Sequence, residues 1–96
     1  MDVIDFEDRA WFLLNDGENY FIDVNCNISA FGFSMLICLD GDELKMYKQL
    51  GHQYIDKLAK DIANYSTSKY GNRDKSKDYS MIVSDAIKSW KVNNSI

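Results

Sequence analysis

The chain has 96 residues, 46% hydrophobic and 14% aromatic, which suits one compact domain; a chain of this length buries roughly 60 to 65% of its unfolded surface. No apolar run approaches the roughly 20 residues of a membrane-spanning helix, and Met1-Asp2-Val3-Ile4-Asp5-Phe6-Glu7-Asp8 is acidic where a secretory leader is basic and then apolar, so the expected location is the cytoplasm. Charge is divided by position: residues 1–44 hold ten carboxylates against Arg9 alone, residues 45–96 hold ten cations against five carboxylates, and the formal net charge is −4.

The first half reads as antiparallel sheet. Arg9 to Leu14 and Asn19 to Ile28 flank Asn15-Asp16-Gly17-Glu18, and Asp-Gly between two apolar runs predicts a hairpin with a two-residue type I′ loop. That loop sets Leu13 opposite Tyr20 and Trp11 opposite Ile22. The next strand alternates, with Tyr20, Ile22, Val24, Cys26 and Ile28 on one face and Asp23, Asn25 and Asn27 on the other. From Phe31 the large apolar residues move to odd positions through Leu39, so a turn or bulge near Asn27 to Ala30 must reset the phase before a third strand.

The second half reads as helical. Asp40 can cap a helix that Glu43 closes from the third position, with Leu39 and Leu44 as the hydrophobic staple. Apolar residues then recur at helical spacing to about Tyr65, and Gly51 beside that stripe suggests the close approach of a strand or ring. Ser66 to Lys77 is polar and basic, the pattern of a surface loop. A short helix starts near Asp78 or Ser80, buries Ile82, Val83, Ala86, Ile87 and Trp90, and frays from Val92 to Ile96. The expected fold is α+β, a single domain over 1–96. An antiparallel sheet of three strands, or four, is followed by a long helix and a shorter C-terminal helix, both on one sheet face.

Reactive constellations are sparse. His52 is the only histidine and falls on the polar helix face, as a satisfied surface side chain would. Cys26 and Cys38 lie in apolar strand-like runs without metal-type spacing and read as buried, reduced thiols. The glycines do not form a phosphate-binding loop, and the carboxylate spacing does not match a calcium loop. No catalytic residue, metal site or cofactor is expected. The loop cations Lys69, Arg73, Lys75 and Lys77, with Tyr70 and Tyr79 nearby, could meet phosphates and bases. A pI near 4.7 argues against direct nucleic-acid binding.

The acidic half is the better recognition surface. Asp23, Asn25 and Asn27 form a polar row opposite the predicted core, Phe21 shares that face, and Asp16 and Glu18 border it. The candidate partner-binding set is therefore Asp16, Glu18, Phe21, Asp23, Asn25 and Asn27. Carboxylates around an exposed ring favour a basic protein partner, charge setting the association rate and the ring supplying buried area. The competing reading is an ordinary solvated face, or rings covered by the N-terminal arm through Ile4 and Phe6.

The pattern Leu39-Asp40-x-x-Glu43, then Tyr47-x-x-x-Gly51-x-x-Tyr54-Ile55-Asp56-x-Leu58-Ala59-x-x-Ile62 and Ala86-Ile87-x-x-Trp90 resembles small bacterial immunity proteins of polymorphic and contact-dependent toxin systems. The resemblance implies a non-enzymatic cytoplasmic protein that binds a cognate toxin domain and blocks its active site or substrate groove. Many such toxins are basic nucleases, which an acidic face would suit. Two other readings stand beside it. One is an acidic inhibitor that mimics nucleic acid on a basic protein. The other is a small enzyme that brings together distant groups such as His52 with Cys38 or Asp40.

Overall fold

The computed structural model describes residues 1–26, 33–66 and 68–94. Its elements in chain order are β1 (Asp2–Glu7), β2 (Trp11–Asn15), β3 (Tyr20–Cys26), β4 (Phe33–Cys38), α1 (Gly41–Leu50), α2 (His52–Asn64) and α3 (Ser76–Asn94), with a single 3-10 turn at Gly71–Arg73. The strands form one antiparallel sheet in the order β1-β2-β3-β4, each hydrogen-bonded to its sequence neighbour. The fold is α+β, with the acidic N-terminal segment as a full fourth strand rather than a loose arm.

Both sheet faces are covered, and this corrects the expected arrangement of helices on one side. Trp11, Leu13, Ile22, Val24, Met35 and Ile37 pack against Ile55, Leu58, Ala59 and Ile62 of α2. On the opposite face Leu14, Phe21 and Leu36 pack against Val83 of α3, with Phe12, Tyr79 and Ile87 around them. The sheet is the middle layer of three. Trp90 closes the second core near its edge, 4.6 Å from the Phe6 ring and 5.5 Å from the Phe12 ring.

The β2–β3 loop is wider than the Asp-Gly pair predicts. Asn15 pairs with Tyr20, Leu13 with Ile22 and Trp11 with Val24, so the loop holds the four residues 16–19. Side chains explain the difference: the Asn15 Oδ1 accepts from the Gly17 amide at 2.9 Å, and the Asp16 Oδ1 accepts from Glu18 and Asn19 at 2.9 and 2.7 Å. Asn and Asp offer turn amides these local acceptors and so stabilise the wider turn. The change of partner is by two residues, which leaves every side chain on its expected face. Across the next ladder Val24 meets Met35, so even positions of β3 share a face with odd positions of β4 as the phase switch requires. The turn expected at Asn27 to Ala30, and Asn27 itself, lie outside the described residues.

The single long helix expected from Asp40 to Tyr65 is two. The capping box forms as predicted, Asp40 accepting from the Glu43 amide and Glu43 accepting from the Asp40 amide. Gly51 then divides the helix at φ 68°, ψ −142°, its amide ending α1 on the Tyr47 carbonyl at 2.7 Å and its own carbonyl accepting from Tyr54 at 3.1 Å to start α2. A Cβ at this position would meet nothing within 4 Å. The glycine therefore serves backbone conformation and not close packing, because L side chains disfavour positive φ. Gly51→Ala is expected to cost about 1–2 kcal/mol, read as a lower urea midpoint. A rise in stability would show that the helix can run straight through.

From residue 68 onward, the polar segment expected to be a surface loop is tied down. Tyr70 is buried and its hydroxyl donates to Asp61 at 2.5 Å. Asp74 accepts from the Leu36 amide at 3.1 Å while Lys75 donates to the Leu36 carbonyl at 2.7 Å, closing part of the outer edge of β4. α3 follows, starting at Ser76 and running longer than the short helix predicted, with Ile82 half exposed instead of buried.

Candidate partner-binding surface

The six residues expected to form one face fall into different environments. Asp16 and Glu18 are exposed at the tip of the β2–β3 hairpin. Amide donors from Asn19 and Glu18 hold the Asp16 carboxyl below the usual carboxylate range, because hydrogen bonds to the charged form favour it. The charge is fixed in place as well as present. Asp2 pairs with Asn15, and the Leu39 amide donates to the Tyr20 carbonyl at 2.9 Å. Those two contacts bring the start of β1 and the start of α1 to the same end of the sheet. Asp2, Asp16, Glu18, Asp40 and Asp42 are all exposed there.

Arg73 brings a cation to that end, and its guanidinium is occupied. The Arg73 guanidinium donates to both Glu43 oxygens at 2.6 and 3.1 Å and to the Cys38 carbonyl at 2.9 Å, with Asp40 at 4.0 Å. Among the described residues no ion pair involves Asp2, Asp16, Glu18 or Asp42. The exposed carboxylates thus concentrate negative charge at this rim.

Phe21 corrects the expectation of an exposed aromatic anchor. It is 2% exposed, with its ring 5.1 Å from Tyr79 of α3. The polar row lies beneath or beside α3, since that helix covers this sheet face. Asp23 is on the floor of a groove between α3 and β4, lined also by Ser34, Leu36, Ser80, Lys88 and Lys91. Burial, with Asp74 adding to it, pushes the Asp23 carboxyl up to about 6. Asn25 is exposed, and its Nδ2 donates to the Arg9 carbonyl at 3.1 Å in the β1–β2 turn, where Arg9 holds a φ of 63°. The structure thus unites Asp16 and Glu18, and separates both from Phe21 and Asp23.

His52 sits on the surface, as its position on the polar face predicts, but with two unforeseen partners. Its Nδ1 is 2.9 Å from Asp5 and its Nε2 is 2.9 Å from Glu7, both on β1, and its ring lies 4.9 Å from that of Trp11. Carboxylates only accept, so satisfying both requires a proton on each ring nitrogen. Glu7 first and Asp5 second raise the His52 pKa accordingly. Cys26 is buried as expected, whereas Cys38 is only partly so; burial still raises both thiols, which works against a thiolate in either position. Tyr70 and Tyr79, weighed as stacking rings for nucleic-acid bases, are respectively buried and packed on Phe21.

Among the described residues no group of three or more His, Cys, Asp or Glu side chains is arranged to hold a metal ion. No described helix is long and apolar enough to cross a membrane. Comparison of the chain with protein-family models, curated proteins and solved structures finds no match.

Proposed function

We propose that this chain is a non-enzymatic binding protein for a basic protein partner, acting as a cytoplasmic immunity protein that neutralises a bacterial toxin domain. The observation that carries the reading is the acidic rim at one end of the sheet. There Asp16 and Glu18 project from a hairpin, Asp40 and Asp42 stand at a capped helix start, and the local arginine is tied to Glu43. Exposed charge of one sign on a rigid support steers a partner of the other sign and speeds association. The contact surface moves from the sheet face to the sheet end, because α3 covers Phe21.

The test is capture by the tagged protein at low and high salt, set against the Asp16→Lys, Glu18→Lys double variant. A basic toxin domain should be held by the parent chain, and co-expression of the parent chain should relieve its toxicity. The variant should associate at least about tenfold more slowly, and added salt should narrow the gap because screening acts over roughly 8 Å at physiological ionic strength. Equal rates at both salt levels would remove the rim as the contact surface. Displacement of the captured partner by DNA would favour the reading as a nucleic-acid mimic.

A further inference from the structure

The groove under α3 has a polarity of its own. A cavity of about 370 Å³ lies between α3 and β4. It adjoins a second of about 320 Å³ that runs toward Phe12 and Trp90, and the two share Asp23, Ser34 and Lys91. This size falls within the range of small-molecule sites, which combine apolar walls with a few convergent polar groups. Leu36, Val83 and Ile87 provide the walls, and Ser76, Ser80 and Ser84 recur at one-turn spacing along the helix side.

The charges are ordered from floor to rim. Asp23 projects from the central strand β3, and among the described residues nothing donates a hydrogen bond to its carboxylate. Asp74, from the segment before α3, adds to the negative floor and already accepts from Leu36 and Ser76. At the rim are Lys88 and Lys91 of α3. The Lys91 ammonium lies 5.8 Å above the Phe12 ring, and Phe12 is the ladder partner of Asp23. Lys91 thus lines both cavities together with Asp23 and forms no ion pair with it among those described. Asp8 and Arg9 line the far cavity and offset one another in sign. A partly buried carboxylate with no donor among the described residues carries a desolvation cost that a bound cation relieves. A cation alone would meet the rim lysines unfavourably, and an anion alone would meet Asp23.

We propose that this groove binds a small zwitterion of amino-acid size, its ammonium group on Asp23, its apolar body on Leu36, Val83 and Ile87, and its anionic end at Lys88 and Lys91. The site is separate from the acidic rim, so either can fail without the other. Because Asp23 accepts a proton at about pH 6, binding of the ammonium group weakens as pH falls through that value, where the carboxylate is neutralised.

The experiment titrates the intact chain with free leucine, with leucinamide, which keeps only the cation, and with 4-methylpentanoate, which keeps only the anion. Calorimetry gives affinities, and amide chemical shifts report where each probe binds. Leucine should shift groove amides and bind at least about tenfold more tightly than either single-charge analogue, the weight of one charge-assisted hydrogen bond. Asp23→Asn should lose about the same factor together with the pH dependence. Ser84→Phe, a substitution at an exposed helix position that fills the groove, should abolish binding while circular dichroism shows the fold retained. No binding by leucine at tens of millimolar would overturn the proposal, as would unchanged affinity in Asp23→Asn. Equal affinity for leucinamide would overturn it in favour of a cation site, and equal affinity for 4-methylpentanoate in favour of an anion site.

Discussion

Arg73→Ala is expected to cost about 2–3 kcal/mol in urea unfolding, a large effect for a residue in a polar connecting segment. Its guanidinium contacts both oxygens of Glu43, whose side chain is only 12% exposed, and the backbone carbonyl of Cys38 at the end of β4. Removing it leaves a nearly buried carboxylate without its partner, and breaking such a pair costs more than the pair itself contributes. Glu43 is also the third residue of the capping box, so its loss of position loosens the start of α1. Lysine should recover only part of the loss, because a point charge cannot match the forked geometry. The double variant Arg73→Ala, Glu43→Gln should be more stable than Arg73→Ala alone. If the single variant changes the urea midpoint no more than an exposed Lys→Ala does, the contact is only a surface pair.

Asp23→Asn should act in the opposite direction, stabilising the fold by about 2–3 kcal/mol near neutral pH. The native carboxyl titrates at about 6 against an ordinary value of 3.8, chiefly through burial. A folded-state pKa above the unfolded value means that the native state holds the proton more tightly. The stability linked to Asp23 is therefore fully present below about pH 4 and is lost as pH rises to about 6. Asparagine keeps the shape and omits the charge. The stability curves of the parent and variant should meet near pH 4 and separate above it, reaching a plateau above about pH 6. Curves that stay parallel across that range would show that the Asp23 charge is well solvated.

Much of the sheet is legible in the residues. The alternation in Tyr20 to Cys26, the phase change before Met35 and the capping box at Asp40 all specify local geometry, and each is present in the fold. The second helical layer is harder to read. Trp11-Phe12-Leu13-Leu14 is an unbroken apolar run, the mark of a strand buried on both faces, yet the polar Asp23 and Asn25 next in space suggest a solvated side. Asp23 is itself half-buried in the groove beside α3, so polarity there misreports exposure. Gly51 is ambiguous from sequence because a glycine on an apolar helix stripe fits close packing as well as a break. The partners of Arg73 and His52 lie 30 and 45 or more residues away, beyond anything that local spacing encodes. Of the candidate site, the hairpin tip was readable because a turn exposes its residues whatever lies on the sheet, whereas the fate of Phe21 depended on where α3 docks.

The order β1-β2-β3-β4 also has a bearing on biosynthesis. Every strand pair forms between sequence neighbours, so the sheet can assemble from hairpins as the chain leaves the ribosome. Its second cover, α3, begins only at Ser76. Until then Phe12, Leu14, Phe21 and Leu36 are a bare greasy face on a nascent chain. All but one of the ionised side chains in its first 44 residues are negative. Like-charged chains repel and resist association. The acidic half thus gives the unfinished molecule colloidal protection during the interval when its sheet lacks a lid.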